Sequence, residues 1–166
     1  SDVCSSDLVK GTAVYTSNFT PSTTSLTAIS GTSLLTLQSN RFIDNSSNSL
    51  TPTITGTPTV QSFHPISAPT GYYPAVNGGG GYFDGSGDYL GVASGSQANF
   101  GTGDFTIEAW VYPTAINFVI YTDVSTNAYF YINNQKGLTY FDGGYINNTS
   151  APGVAFNSWS HVMFSR

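Results

Sequence analysis

"DFTIEAWVYP", the segment from Asp104 to Pro113, is the clearest strand pattern in the sequence. Four apolar residues take every second position: Phe105, Ile107, Ala109 and Val111. Four others alternate with them: Thr106, Glu108, Trp110 and Tyr112. Since successive side chains of a strand point to opposite faces of its sheet, we expect the apolar set to lie between two facing sheets. The other set forms a mixed face, either covered by a loop or open to a ligand, and Pro113 ends the strand because it has no N–H to donate.

Similar short alternating stretches recur along the chain and end at Gly, Pro, Asn or Asp, whereas no stretch has the 3.6-residue apolar period of a helix. Besides Phe105–Tyr112, the predicted strands are Ala13–Tyr15, Ser33–Gln38, Thr53–Thr55, Thr59–Phe63, Gly81–Phe83, Tyr89–Val92, Phe118–Thr122, Ala128–Asn133, Leu138–Phe141 and Ser160–Ser165. Many short strands at close spacing are typical of a sandwich or barrel, so we expect an all-β fold of two antiparallel sheets. The stretch Ala128–Asp142 predicts a hairpin in which Gly137 takes a positive φ.

The composition favours an exported or virion-type protein over a cytosolic helical enzyme. Only 8% of the 166 residues are charged, against about 25% in ordinary soluble domains. The net charge is −5, and four scattered cations do not form the basic cluster that nucleic-acid binding requires. No apolar run approaches the ~20 residues of a membrane-spanning helix. We therefore expect neither a nucleic-acid partner nor a membrane.

The first eight residues, "SDVCSSDL" from Ser1 to Leu8, resemble a translated sequencing adapter of the kind found at the ends of metagenomic gene fragments. We expect them to be an artefact and leave them out of the predicted fold. This step also removes Cys4, the only cysteine. The remaining chain then has no disulfide, thiol nucleophile or cysteine-based metal site.

Three blocks carry a resemblance to a known family: "GGYFDGSGDYLGV" (80–92), "FGTGDFTIEAWVYP" (100–113) and "NSWSHVMFSR" (157–166). In this order they resemble the signature blocks of laminin-G-like domains, which share the concanavalin A-like jelly roll. The resemblance implies that residues 32–166 are one such module, truncated at its C-terminus. Residues 9–31 resemble the closing strand and tail of a preceding module. The sequence as a whole is similar to tandem modules of tailed-phage structural proteins. This similarity implies a virion or extracellular location, with neighbouring modules of the same chain as partners.

A jelly roll without its closing strands exposes unpaired strand edges and apolar core. We hypothesise that Val9–Phe19 fills the place of the missing closing strand, which would make the module a permuted one. A strand at Ala13–Tyr15 that pairs within the sheet would support this hypothesis.

The loop "FDGSGD", from Phe83 to Asp88, has three possible interpretations. It lacks the lysine of a phosphate-binding loop and is not followed by a helical pattern. A tight hairpin fits best, with glycines at positive φ and the carboxylates of Asp84 and Asp88 folded back onto turn amides. A Ca²⁺ site that uses Asp84 or Asp88 is the alternative, although Ca²⁺ usually takes six to eight oxygen ligands. Otherwise we expect no cofactor.

The concanavalin A-like fold also includes glycoside hydrolases, which need two carboxylates, one on each side of the scissile bond. Glu108 is the only acid on its face of the predicted strand, so the second carboxylate is missing and we expect no enzymatic activity. His64 and His161 have neither metal-site spacing nor a catalytic context, and we interpret both as structural.

Aromatic residues are the remaining candidates for ligand binding, because a flat ring with a polar edge can take up a sugar. The candidates are Trp110, Tyr112, Tyr129, Tyr131 and Tyr140. We therefore expect a non-catalytic module of a phage tail or virion surface protein that binds glycans of a host cell surface. The alternatives are a purely structural spacer module and the binding part of a secreted glycoside-active enzyme.

Overall fold

The computed structural model describes residues 2–39, 41–63, 65, 79–93, 95, 100–123, 126–142, 145–147 and 153–166. Within these ranges the chain forms twelve strands and no helix. The strands are β1 (Asp2–Lys10), β2 (Thr32–Thr36), β3 (Thr53–Thr55), β4 (Thr59–Gln61), β5 (Gly80–Tyr82), β6 (Tyr89–Gly91), β7 (Phe105–Tyr112), β8 (Phe118–Asp123), β9 (Ala128–Ile132), β10 (Leu138–Phe141), β11 (Tyr145–Asn147) and β12 (Ser160–Ser165). The predicted all-β class is confirmed.

Two antiparallel sheets account for most of the strands. The six-stranded sheet has the order β12-β7-β1-β5-β4, with β2 paired to the second half of β1. The four-stranded sheet has the order β11-β10-β9-β8. A small third sheet consists of β3 and β6 alone. All of β12 pairs with β7, and all of β10 pairs with β9.

The core lies between the six-stranded and four-stranded sheets. All four predicted core residues of β7, from Phe105 to Val111, have no exposed surface. They pack in one apolar cluster with Phe130 and Ile132 of β9. Full burial of such a side chain contributes about 1.5–3 kcal/mol, so this layer stabilises the sandwich most. The chain is thus an all-β sandwich, whereas its jelly-roll path stays a prediction.

Tyr140 belongs to this core and not to a ligand surface, so its prediction as a sugar-binding residue is wrong. It lies opposite the buried Phe130 in the β9–β10 pair, and only 3% of its surface is exposed. Burial raises the pKa of its phenol to about 12. Residues that are paired across two strands share a face of the sheet, so Tyr140 points inward with Phe130.

The exclusion of Ser1–Leu8 from the fold is corrected by β1, which lies in the middle of the six-stranded sheet. It pairs with β7 on one side and with β5 and β2 on the other. Val3 and Leu8 are buried in the core cluster. A bulge at Ser5, with a φ of 50°, separates two regular stretches of the β1–β7 pair. The division into residues 9–31 and 32–166 stays a prediction, but β1 and β2 are neighbours in one sheet.

The predicted strand Ala13–Tyr15 does not form. Residues 12–19, here called the strap, run without strand pairing across the outer face of the six-stranded sheet. The Val14 N–H donates to Thr106 Oγ1 over 2.9 Å, so the strap is not remote from the sheet. Of the segment Val9–Phe19, only Val9 and Lys10 pair within the sheet, as the end of β1. The permuted-module hypothesis is therefore wrong about which residues form the strand.

Two turn predictions also change. In the β9–β10 hairpin, Lys136 takes the positive φ (64°) in place of Gly137. The Asn133 carboxamide oxygen accepts the Gly137 N–H at 3.0 Å, which fixes the turn one residue earlier. The loop from Phe83 to Asp88 does turn on two glycines of positive φ, but it joins β5 and β6, which belong to different sheets. It is a crossover and not a hairpin.

Candidate functional site

An aromatic groove of about 360 Å³ lies on the outer face of the four-stranded sheet. Its lining residues come from β8, β9, β10 and the loop before β8: Asn117, Val119, Tyr129, Tyr131 and Phe141. Val119 is 50% exposed, and the two tyrosines and Phe141 are partly exposed. The rings of Tyr129 and Phe141 are tilted by 40° with their centroids 6.2 Å apart. The groove therefore presents rings, phenol hydroxyls and an amide to the solvent.

The strand register places these side chains together. Tyr129 lies opposite Phe141 of β10, and Tyr131 lies opposite Val119 of β8. Tyr129 and Tyr131 are two residues apart on one strand, and such residues share a face. Phe130 and Ile132 alternate with them and are buried. The same alternation that builds the core thus builds the groove on the opposite face.

Trp110 and Tyr112, the other two predicted ligand-binding residues, lie on the far side of the sandwich. Trp110 packs against His161 with a centroid distance of 5.3 Å. Tyr112 packs edge-on to Phe63 and Trp159, at 4.9 and 5.6 Å. The indole nitrogen of Trp110 is buried and has no hydrogen-bond partner among the described residues. The four predicted aromatic residues therefore do not form one surface.

Glu108 is not alone, and the prediction that a second carboxylate is missing is wrong. Asp7 of β1 lies directly opposite Glu108 of β7. The prediction failed because Asp7 had been set aside with the first eight residues. Directly opposite residues have Cβ atoms about 4.5–5.5 Å apart, a separation at which two carboxyl groups interact strongly. Burial and then the Glu108 charge raise the pKa of Asp7 to about 7.

The carboxyl pair is sealed. Asp7 is 3% exposed and Glu108 2% exposed. Glu108 Oε2 accepts the Tyr15 hydroxyl of the strap at 2.8 Å and lies 2.9 Å from His161 Nε2. Cys4 lies on the same face, and burial raises the pKa of its thiol to about 12, so the thiol is protonated and inert. The sequence left open whether this face is covered by a loop or open to a ligand. In the structure a loop, the strap, covers it.

The Asp84–Asp88 loop holds its carboxylates against backbone amides, as predicted. Asp84 Oδ1 accepts the Ser86 N–H at 2.6 Å. The carboxylate of Asp88 accepts the amides of Thr57 and Asp84, at 2.6 and 3.0 Å. Both hydrogen bonds lower the pKa of Asp88, and the bond from the Asp84 amide has the larger effect. Within the described ranges no three His, Cys, Asp or Glu residues form a group able to hold a metal ion, and the Ca²⁺ site stays a prediction.

A larger cleft of about 830 Å³ lies beside this loop. Its walls are mostly apolar and include Leu34, Leu37, Leu90 and Ile120. Nothing in the alternation of single strands pointed to it, because its walls come from separate sheets.

His64 lies outside the described residues. In the described part of the chain, no helix is long and apolar enough to cross a membrane. Neither family models, curated proteins nor solved structures give a match to this chain.

Proposed function

We propose that the chain is a non-catalytic carbohydrate-binding or adhesion module whose glycan lies in the aromatic groove. One observation supports it above all: Tyr129, Tyr131 and Phe141 share an exposed face beside Asn117. The C–H faces of a sugar ring pack on aromatic rings, and its hydroxyls exchange hydrogen bonds with phenols and amides. The groove offers both kinds of contact.

The groove is shallow, so the affinity of one module for one sugar is low. Repetition of such modules along a longer chain raises the overall affinity without any new contact, because the second binding event becomes intramolecular. The resemblance to laminin-G-like tandem modules fits this arrangement. Host-surface glycans are then the partner, and the virion surface or the extracellular space is the location.

A binding role is favoured over hydrolysis by the state of the two carboxyls. A glycosidase places its acids on either side of the scissile bond, in contact with the substrate. Asp7 and Glu108 are instead almost fully buried, and Glu108 is bonded to Tyr15 of the strap. With the strap in place, a sugar cannot reach them.

The proposal is tested on a glycan array with the full chain and the variants Tyr129→Ala and Tyr131→Ala, each with and without Ca²⁺. We expect the wild type to bind a restricted set of glycans and each variant to bind at least about tenfold more weakly, a loss of about 1.4 kcal/mol. Tyr82→Ala is the matched control, since Tyr82 is 40% exposed but lies outside the groove.

A blank array for the wild type in both buffers would contradict the proposal and leave the spacer interpretation. Equal losses for Tyr82→Ala and Tyr131→Ala would also contradict it, because the groove would then have no special part in binding.

A further inference from the structure

The two buried carboxyls and the strap above them form a unit that the aromatic groove does not use. Asp7 and Glu108 lie side by side on neighbouring strands, and both are buried. Glu108 Oε2 has two partners, the Tyr15 hydroxyl and His161 Nε2. By contrast, Asp7 Oδ1 has no hydrogen-bond partner among the described residues. The face therefore accommodates one negative charge better than two.

The surroundings of Asp7 supply little compensation for its charge. The titratable groups that face it from neighbouring elements are Glu108 on β7, Asp44 after β2, Tyr15 on the strap, and His161 on β12 beyond Glu108. Neither carboxyl pairs with a lysine or arginine in the described part of the chain. A negative charge on Asp7 is therefore disfavoured in this site by burial and by the neighbouring Glu108.

The strap is held by few contacts, and one of them ends on the pair. Its Val14 N–H donates to Thr106 Oγ1, and its Thr12 carbonyl oxygen accepts the Thr106 hydroxyl at 3.3 Å. Its Tyr15 hydroxyl donates to Glu108. The ring of Phe19 stacks on Tyr15 at 3.9 Å and meets His161 edge-on at 5.7 Å. Burial, followed by the bond to Glu108, raises the pKa of the Tyr15 phenol, so it remains a donor at neutral pH. No strand pairing adds to these contacts.

We propose that residues 12–19 form a pH-sensitive cover that detaches from the six-stranded sheet when the Asp7 carboxyl beside Glu108 loses its proton. Two negative charges on adjacent buried side chains repel each other and require water, and water reaches them only if the strap moves away. Detachment exposes the face that carries Thr106, Glu108 and Trp110. Detachment of the strap does not depend on glycan binding to the four-stranded sheet.

The direction of the pH dependence follows from Asp7, whose pKa is raised to about 7 from an ordinary value of 3.8. The closed state binds the extra proton, so closure is favoured at low pH. It weakens as the pH rises from about 4 to about 7, by at most about tenfold per pH unit. Above pH 7 the closure equilibrium levels off.

Hydrogen–deuterium exchange of the full chain, corrected for the intrinsic pH dependence of exchange, tests the proposal. We expect the protection of the Val14 amide to fall at least tenfold between pH 5.5 and pH 8, while the core amides of Ile107 and Phe130 stay protected. In Asp7→Asn the strap protection changes less than twofold over this range. Asp142→Asn is the control, because Asp142 lies apart from the pair, and it keeps the wild-type profile.

A flat wild-type profile, or an Asp7→Asn profile that falls as the wild type does, would overturn the proposal. If Asp7→Asn does not fold, Asp7→Ser serves instead, since it removes the same carboxyl, and the same flat profile is required. Neither result depends on whether a glycan binds.

Discussion

The two outer faces of the sandwich carry similar side chains but differ in what covers them. The six-stranded sheet presents Trp110 and Tyr112, yet the strap bonds Glu108 on that face, and Phe63 and Trp159 pack against Tyr112. The four-stranded sheet presents Tyr129 and Tyr131 in an open groove. Aromatic residues at alternating positions therefore do not by themselves indicate a binding surface. A distant segment of the chain decides whether they bind a ligand or support the fold.

The largest expected effect separates the core from the open face on a single strand. Phe130→Ala should lower the free energy of unfolding by about 4 kcal/mol, because Phe130 is 1% exposed and its removal leaves a cavity. Tyr131→Ala, one residue along, should cost less than about 1 kcal/mol, as surface substitutions do. Urea denaturation of both variants measures the difference. Equal losses would mean that Tyr131 is not on an open face.

The next effect concerns the closed face. His161→Ala should destabilise the chain by about 3 kcal/mol at neutral pH, because the buried carboxyl of Glu108 loses its imidazole partner. Phe141→Ala is the counterpart on the open face and should cost less than about 1 kcal/mol. If the two variants unfold at the same urea concentration, the two faces do not differ in burial.

A pH dependence follows from Asp7. Its folded pKa is raised to about 7, so protonation favours the folded state, and the contribution is present below about pH 4 and lost as the pH rises through 7. From pH 5 to pH 8 the Asp7-linked loss is about 2.5 kcal/mol. Asp88, with its lowered pKa, changes stability in the opposite sense and at lower pH. The stability of wild type minus that of Asp7→Asn, measured at each pH, isolates the Asp7 term, and a constant difference would contradict it.

The smallest effect compares two tyrosine hydroxyls. Tyr15→Phe removes one buried hydrogen bond to Glu108 and should cost about 1 kcal/mol, with the stack on Phe19 preserved. Tyr131→Phe removes an outward-facing hydroxyl and should change the free energy of unfolding by less than about 0.5 kcal/mol. Thermal or urea unfolding of the two variants measures the difference. A larger loss for Tyr131→Phe would reverse the assignment of the two faces.

The sequence predicts those parts of the fold whose signal is local. In β7, β9 and β10 the apolar residues alternate, and each of these strands forms close to where it was predicted. Tyr140 was misassigned because its face depends on the register with β9, which pairs it with Phe130. The prediction of a positive φ at Gly137 was wrong because the Asn133 side chain accepts the Gly137 N–H and so sets the geometry of the turn.

The candidate sites are less predictable, because they join distant segments. Tyr129 and Tyr131 were named, but Phe141, Val119 and Asn117 enter the groove only through strand pairing. The one local signal for Phe141 was its place on the predicted hairpin, where it alternates with Tyr140. Asp7 could not be matched with Glu108 because the first eight residues, which contain Asp7, were left out of the predicted fold. The bulge at Ser5 also interrupts the alternation of side chains along β1.

Chemical-shift mapping of the isotope-labelled chain, with the glycan that binds it best, locates the binding surface residue by residue. We expect the amides of Val119, Tyr129, Tyr131 and Phe141 to shift on titration and those of Trp110 and Tyr112 to stay unchanged. Shifts centred on Trp110 and Tyr112, or none with any glycan, would contradict the assignment of the open face of the four-stranded sheet as the binding surface.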